Sequence, residues 1–244
     1  MQERNRSISG ATLKWFAIIS MLIDHIGAAL LAPVILGKAH YLQNVDRYTL
    51  IQIYTCMREF GRLAFPIFCF LLIEGIRYTK NRKKYFLQML LFALVSEVPF
   101  DLAFHGKIMD WNYQNVFWTL MLGMLAVYAA EYIMLRMPQI RAVWMIILLL
   151  LCVVAELTHV DYGATGVAVI VVMWSLQKSP VIRGVLCTLI LIVGASVAEW
   201  TVVFSFLLIA CYNGTRGKQW KYFFYLFYPA HLLILGILHQ LYVG

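Results

Sequence analysis

Long apolar runs dominate this sequence, and the first of them, residues 13–36, constrains the fold most strongly. The run is about 24 residues long, more than the roughly 20 that cross a bilayer as a helix. An acid and a histidine, Asp24 and His25, stand side by side near its middle. Such side chains are costly at membrane depth unless they face a protein interior or a water-filled cavity. The run therefore predicts a membrane-spanning helix that carries a polar site.

The composition extends this interpretation to the whole chain. Of the 244 residues, 62% are hydrophobic and 13% are charged, whereas soluble domains are about 45–50% apolar and about 25% charged. We therefore predict a single transmembrane domain over residues 1–244, with a lipid bilayer as its environment. The net charge of +8 comes from basic residues in short loops, which indicates membrane topology and not nucleic-acid binding. The five cysteines form no CxxC pair, so neither a disulfide nor a metal site is predicted.

The apolar runs predict an all-α, polytopic integral membrane bundle of about nine transmembrane helices. The predicted spans are 13–36, 59–78, 84–104, 115–135, 142–158, 162–177, 182–198, 200–213 and 221–242. A short interfacial helix is predicted within 37–57, a segment that also holds His40, and a tight turn or broken helix is predicted at Glu199.

Charges in the loops predict the orientation of these spans. One side of the membrane would hold Arg4, Arg6, Lys14, Lys80, Arg82, Lys83, Lys84, Arg136, Arg141, Lys178, Arg183, Arg216, Lys218 and Lys221. The other side would hold Lys38, Arg47 and Lys107. Because cytoplasmic loops are enriched in Lys and Arg, the N-terminus is predicted to be cytoplasmic.

Asp24 and His25 allow two interpretations. A carboxylate can orient a histidine and raise its basicity, which suits the imidazole to take a proton from a nucleophile. Alternatively, the two side chains form a buried polar contact that holds helices together. A second histidine, His231, lies near the middle of the last span, and the two would share one cavity if the first and last spans pack together.

Further polar residues stand in or beside the spans. Arg58 and Arg62 are four residues apart and so share a helix face, where guanidinium groups can hold a carboxylate, a carbonyl or a phosphate. They can equally pair with Glu97 or Asp101, which are also four residues apart. The basic segment after residue 78 would attract a phosphate-rich cofactor, although topology alone explains most of its lysines.

Six segments, in order along the chain, resemble the TraX family. They read LKWFAIISMLIDHIGA, REFGRLAFPIFCFLLIEG, LLFALVSEVPFDLAF, NVFWTLMLG, DYGATGV and KYFFYLFYPAHLLIL. The family is named for an inner-membrane protein of conjugation systems that acetylates the N-terminus of pilin. The resemblance also implies kinship with the wider superfamily of transmembrane acyltransferases.

This resemblance implies a multi-pass enzyme of the bacterial cytoplasmic (inner) membrane. It would move an acetyl group from cytosolic acetyl-CoA to an amine or hydroxyl of a peptide, a pilin N-terminus, an envelope glycan or a small molecule. The residues that match the family motifs are Asp24, His25, Arg58, Arg62, Glu74, Glu97, Asp101, Asn115, Asp161 and His231. We expect Arg58, Arg62, Glu74, Glu97, Asp101, Asn115 and Asp161 to bind substrate.

Chemistry suggests roles for the remaining residues. His25, oriented by Asp24, would be the general base or, alternatively, an acyl-carrying nucleophile. Arg58, Arg62 or His231 could stabilise the oxyanion of a tetrahedral intermediate. The phosphates of acetyl-CoA would be met by four basic residues, Lys80, Arg82, Lys83 and Lys84.

Two other functional classes fit the same polar groups. In a polytopic transporter or flippase, they would bind a small polar or lipid-linked substrate without covalent chemistry, although the chain shows no internal repeat of the kind typical of transporters. In a structural or assembly subunit of an envelope complex, they would serve only packing. The sequence leaves the oligomeric state and the choice between N- and O-acetylation open.

Overall fold

The computed structural model describes residues 7–39, 41–42, 44–218 and 220–243, without the side chains of Lys221 and Tyr222. Arg4, Arg6 and His40 therefore lie outside the described residues. Within these ranges the chain forms ten α-helices and no β-strand. They are α1 (Gly10–Ile35), α2 (Arg47–Gly61), α3 (Ala64–Tyr78), α4 (Arg82–His105), α5 (Val116–Arg136), α6 (Val143–Leu157), α7 (Gly163–Ser175), α8 (Pro180–Gly194), α9 (Val203–Ala210) and α10 (Lys221–Tyr242).

The all-α membrane architecture predicted from the sequence is confirmed. Within the described residues, four helices are long and apolar enough to cross a bilayer, namely Gly10–Ile35, Arg82–His105, Val116–Arg136 and Phe223–Tyr242. Shorter apolar helices follow at Val143–Leu157, Gly163–Ser175, Pro180–Gly194 and Val197–Ala210. The count of nine spans and the cytoplasmic N-terminus stay predictions.

One predicted boundary is wrong. The helix predicted within 37–57 continues to Gly61, past the predicted start of the next span at residue 59, so that Arg58 belongs to α2 and Arg62 caps its C-terminus. The Asp46 side chain caps the N-terminus of α2 by accepting from the backbone N–H of Thr49 at 2.9 Å. The next helix begins at Ala64, because Pro66 has no N–H to donate to the carbonyl of Arg62.

The chain divides into two compact units. Unit 1 consists of Met1–Phe68, Leu94–Asp110 and Thr201–Gly244, and unit 2 of Cys69–Ala93 and Trp111–Trp200.

The chain at Glu199, where a tight turn or broken helix was predicted, forms a 3₁₀ helix over Val197–Val202.

Unit 1 is built around the packing of α1 against α2 and α10. The hydroxyl of Ser20 donates to the carbonyl of Phe60 at 2.7 Å, which joins α1 to the end of α2. The segment before α1 and the first residue of α1 bond to the segment before α10, since the N–H of Ile8 donates to the carbonyl of Cys211 at 3.1 Å and the N–H of Gly10 to that of Thr215 at 2.8 Å. The ring of Trp15 on α1 lies 5.2 Å from the ring of Phe223 on α10, so α1 also packs beside α10.

Unit 2 is held together by the packing of α5, α6, α7 and α8. Its apolar core contains Leu122, Ala126, Ala155, Val160, Val167 and Val171. Helices α5 and α7 approach closely at Gly123, where a Cβ would overlap the side chain of Ile170. Small residues allow such close helix contacts in membranes, and Gly123 is therefore a packing residue.

Candidate active site

Asp24 and His25 lie on α1, immediately before a distortion of the helix. Consecutive helical residues point in directions about 100° apart and do not face each other. The following residues, Gly27–Leu31, form a π-helical turn, a feature found often at functional sites. The carbonyl of Ala29 in this turn accepts from Nδ1 of His239 at 3.0 Å, and that of Leu30 accepts from the hydroxyl of Tyr41. The distortion is therefore held from outside α1.

His25 and His231 are joined directly. Nδ1 of His25 lies 2.8 Å from Nε2 of His231. The ring planes differ by 7° and the ring centroids are 5.0 Å apart. Because the bonded nitrogens are much closer than the centroids, the rings meet edge to edge in nearly one plane. The sequence left open whether the first and last spans pack together, and this contact shows that they do so at the two histidines within unit 1.

The tautomers of the two histidines follow from a third partner. Nδ1 of His231 lies 2.7 Å from the carbonyl oxygen of Phe227, and a carbonyl only accepts hydrogen bonds. Nδ1 of His231 therefore carries the hydrogen, and its Nε2 accepts from Nδ1–H of His25 when both rings are neutral. Nε2 of His25 is left with its lone pair, and this nitrogen makes no hydrogen bond within the described part of the chain. It is the basic atom of the pair.

Aromatic rings surround the two histidines. The ring of Phe104 lies 5.3 Å from that of His25, and the ring of Tyr228 lies 6.1 Å from it. Phe227 packs against His231 with a centroid distance of 4.8 Å. His231 is buried and His25 is half-buried. These apolar walls restrict the access of water to the pair.

Asp24 pairs with Arg58. Its Oδ2 lies 2.6 Å from Nη1 of Arg58, and the two side chains are 16% and 25% exposed. Gly61 packs directly on Asp24, and a Cβ at this position would overlap the carboxylate. The contact that orients His25 thus comes from His231, whereas Asp24 orients an arginine. This differs from the predicted pairing of Asp24 with His25, because the rotation of the helix turns the two side chains toward different neighbours.

The predicted oxyanion role of His231 does not fit this geometry. Both ring nitrogens of His231 are already in hydrogen bonds, Nδ1 with Phe227 and Nε2 with His25. In the neutral ring Nε2 is an acceptor, so it has no hydrogen to offer an oxyanion. Arg58, which is bonded to Asp24, and the half-buried Arg62, which caps α2, remain as the two other predicted candidates for this role.

Glu97 and Asp101 also lie in unit 1, on α4. Asp101 is fully buried, and its Oδ2 accepts from the backbone N–H of Asp110 at 2.7 Å. Its Oδ1 lies 3.5 Å from Nδ1 of His105. Asp101 therefore holds the segment that follows α4. Its predicted role in substrate binding stays a prediction.

The remaining predicted residues lie in unit 2, where several have structural partners. Asn115 caps α5 by accepting from the N–H of Phe117 at 3.0 Å and donates to the carbonyl of Ala93 at 2.8 Å. Asp161 accepts from the hydroxyl of Tyr113 at 2.7 Å.

The acidic and basic residues of α3 and α4 in unit 2 complete the predicted set. Oε1 of Glu74 lies 3.9 Å from Nη1 of Arg77. Arg82 forms an ion pair of 2.5 Å with Glu131. Lys80, Lys83 and Lys84 are exposed. Within the described residues, no group of three or more His, Cys, Asp or Glu side chains is arranged to hold a metal ion.

Sequence reasoning missed two groups at this site. The carbonyl of Phe227 fixes the tautomer of His231, and its signal was the spacing of four residues that places it one helical turn before the ring. His239 supports the π-helical turn of α1, and its position eight residues after His231 on the same helix was the available signal.

Comparison with known proteins now identifies the family. A family model described as TraX protein matches residues 9–239. The chain belongs to the TraX family. The predicted resemblance is therefore confirmed over nearly the whole length of the chain.

This TraX-family chain also has a similar curated relative. It is 28% identical over 258 aligned residues, covering 96% of each chain, to a probable fimbrial assembly protein, FimC of serogroup H1, from Dichelobacter nodosus. No solved structure matches the TraX-family chain.

Proposed function

We propose that this TraX-family protein is a membrane-embedded acetyltransferase that transfers an acetyl group from acetyl-CoA to an amine or hydroxyl. The observation that carries the proposal is the hydrogen-bonded series from the Phe227 carbonyl through His231 to His25. The series fixes the tautomer of His25 and directs the lone pair of its Nε2 away from His231. A histidine held in this way is suited to general-base catalysis, which contributes about 10²- to 10⁴-fold to a rate.

The proposed reaction uses Nε2 of His25 twice. The acceptor nitrogen or oxygen forms a bond to the thioester carbonyl carbon while its proton passes to Nε2. The resulting tetrahedral intermediate then breaks its carbon–sulfur bond, and the coenzyme A thiolate leaves. The thiolate takes the proton from Nε2, which restores the neutral imidazole and yields the coenzyme A thiol. His231 keeps the ring of His25 in place throughout and accepts the hydrogen bond from Nδ1.

Arg58 is the proposed stabiliser of the tetrahedral oxyanion. Its guanidinium is bound to Asp24, the residue before His25, so that its charge lies at the same turn of α1 as the base. Guanidinium groups fixed in position before the reaction stabilise developing negative charge effectively. Asp24 is then a positioning residue for Arg58.

The name of the relative supports one class of acceptor. The protein from Dichelobacter nodosus is named a probable fimbrial assembly protein, and the TraX family is named for a protein that acetylates the N-terminus of pilin. We therefore propose a peptide amine of a pilus subunit as the acceptor, reached at or across the bacterial inner membrane. An envelope glycan hydroxyl fits the same chemistry.

The experiment that tests this function compares the wild type with His25→Asn in lipid nanodiscs that contain radiolabelled acetyl-CoA. His159→Asn is the matched control, since it removes an exposed histidine of unit 2 and asparagine tolerates the positive φ of 51° there. Binding, the slow release of coenzyme A and thermal unfolding are measured for each protein.

The proposal expects saturable binding and turnover in the wild type and in His159→Asn. In His25→Asn, turnover falls by at least about 100-fold while the melting temperature is retained. A folded wild type that neither binds nor cleaves acetyl-CoA overturns the proposal. Uptake of a polar solute into proteoliposomes would then become the activity to measure.

A further inference from the structure

Unit 2 contains a buried arginine that the proposed chemistry does not use. Arg183 lies in the first turn of α8 and is 8% exposed. Its guanidinium carbon lies 5.5 Å from the ring centroid of Phe70. The buried residue Cys187 follows it one turn later on the same helix. Arginines are almost never buried to this extent unless they are paired.

Arg183 has no such partner in the part of the chain that the structure describes. Its side chain forms no ion pair and no hydrogen bond there, and its Nε is buried without an acceptor. Glu74 acts on it electrostatically, but the ion-pair contact of Glu74 is with Arg77. By contrast, Arg58 and Arg82 reach carboxylates at 2.6 and 2.5 Å.

An unpaired buried charge is costly, so a folded chain that retains one is expected to receive an anion at that place. The planar fork of a guanidinium matches a phosphate group with two parallel hydrogen bonds. The start of α8 adds to this preference. Pro180 is its first residue and no side chain caps it, and the N-terminus of a helix attracts anions.

We propose that Arg183 binds a phosphate group. Building on the proposed function, the phosphate belongs to the coenzyme A part of the acyl donor. In this assignment the exposed residues Lys80, Lys83 and Lys84 attract the ligand at long range, and Arg183 makes the close contact.

The first test compares the wild type with Arg183→Met in nanodiscs of zwitterionic lipid. Arg141→Met is the matched control, because Arg141 is exposed in a loop of the same unit. Coenzyme A, pyrophosphate and pantetheine, which lacks phosphate, are added separately. Affinity and melting temperature are measured without any turnover.

The proposal expects Arg183→Met to weaken the binding of coenzyme A by about 10- to 100-fold, the effect of losing hydrogen bonds to a charged group. Pantetheine binding remains unchanged, and Arg141→Met behaves as the wild type. Without ligand, Arg183→Met melts at or above the wild-type temperature, since a buried charge has been removed. If the methionine variant does not fold, Arg183→Lys is used, because lysine keeps the positive charge but lacks the planar guanidinium. This variant weakens coenzyme A binding to an intermediate degree.

A second set of nanodiscs containing phosphatidylglycerol identifies the source of the phosphate. One outcome assigns the site to a lipid headgroup and overturns the coenzyme A assignment. In that outcome this lipid raises the melting temperature only when Arg183 is present, and Arg183→Met leaves the affinity for coenzyme A unchanged. Equal binding of coenzyme A and equal lipid stabilisation in the wild type and Arg183→Met overturn the phosphate site itself. Turnover of acetyl-CoA by the wild type is measured in a separate experiment. The proposed phosphate site and the proposed acetyltransferase activity can therefore be contradicted independently of each other.

Discussion

Nδ1 of His25 and Nε2 of His231 lie 2.8 Å apart, although the two residues come from opposite ends of the chain. Since Nδ1 of His231 donates to the carbonyl of Phe227, the hydrogen between the rings belongs to His25. The arrangement resembles the way in which a carboxylate usually orients a catalytic histidine, but the orienting acceptor here is a neutral imidazole. A neutral acceptor suits an apolar environment, because it adds no buried charge.

Substitutions of His231 should distinguish its role in orienting His25 from its role in helix packing. His231→Phe keeps an aromatic ring but leaves Nδ1–H of His25 without its acceptor, and we expect turnover to fall by about 10- to 100-fold. His231→Gln offers a carbonyl oxygen to the same hydrogen and should recover part of the loss. Steady-state kinetics measure kcat and KM for each variant, and the effect should appear in kcat. Equal losses in both variants would contradict an orienting role.

The ion pair between Asp24 and Arg58 predicts a measurable coupling energy. Because the two side chains are only 16% and 25% exposed, we expect the double-mutant cycle of Asp24→Ala and Arg58→Ala to give about 1–2 kcal/mol of coupling in unfolding. The comparison is Glu74 with Arg77, which lie 3.9 Å apart with Arg77 61% exposed. That cycle should give about 0–1 kcal/mol. Chemical denaturation in detergent measures both.

The helices were largely predictable because hydropathy and loop charges report directly on burial in a membrane. The last helix was predicted at 221–242 and is observed at Lys221–Tyr242, and the predicted span 115–135 is observed at Val116–Arg136. The segment around Arg58 was less predictable. Its polar and apolar residues follow the helical period as far as Gly61, whereas hydropathy alone places the end of this helix too early.

The pairing of side chains was not predictable from sequence. Asp24 and His25 are adjacent in the chain, but which neighbours they contact depends on the rotation of α1 against α2 and α10. That rotation depends in turn on contacts such as Gly61 against Asp24. The proximity of His25 and His231 was anticipated only on the condition that their helices pack. The tautomers of the two histidines can be assigned only from the position of the Phe227 carbonyl, and no pattern of side chains in the sequence indicates that position.

The stability of the first turn of α2 should depend on pH. Hydrogen bonds from the hydroxyl and the N–H of Thr49 lower the pKa of the Asp46 carboxyl below its usual value. Because the folded pKa is the lower one, this stabilisation is present above the unfolded pKa of about 3.9 and is lost as the pH falls through the folded value. Hydrogen exchange of the Thr49 and Leu50 amides, corrected for intrinsic rates, should show less protection at pH 3 than at pH 6. Asp46→Asn keeps an acceptor without titrating, so its protection should not change between the two pH values.

Gly61 should be essential for the geometry of the Asp24–Arg58 pair. A Cβ on Gly61 would overlap the Asp24 side chain, whereas a Cβ on Gly27, in the same contact between α1 and α2, would come no closer to Met57 than 3.3 Å, at the Met57 Cβ. We therefore expect Gly61→Ala to lower the unfolding free energy by about 1–3 kcal/mol through overpacking and to reduce turnover as strongly as Arg58→Ala. Gly27→Ala should change both quantities much less. Thermal unfolding and acetyl-CoA turnover measure the two effects, and a Gly61→Ala protein with wild-type values would show that α1 and α2 can separate without disturbing the site.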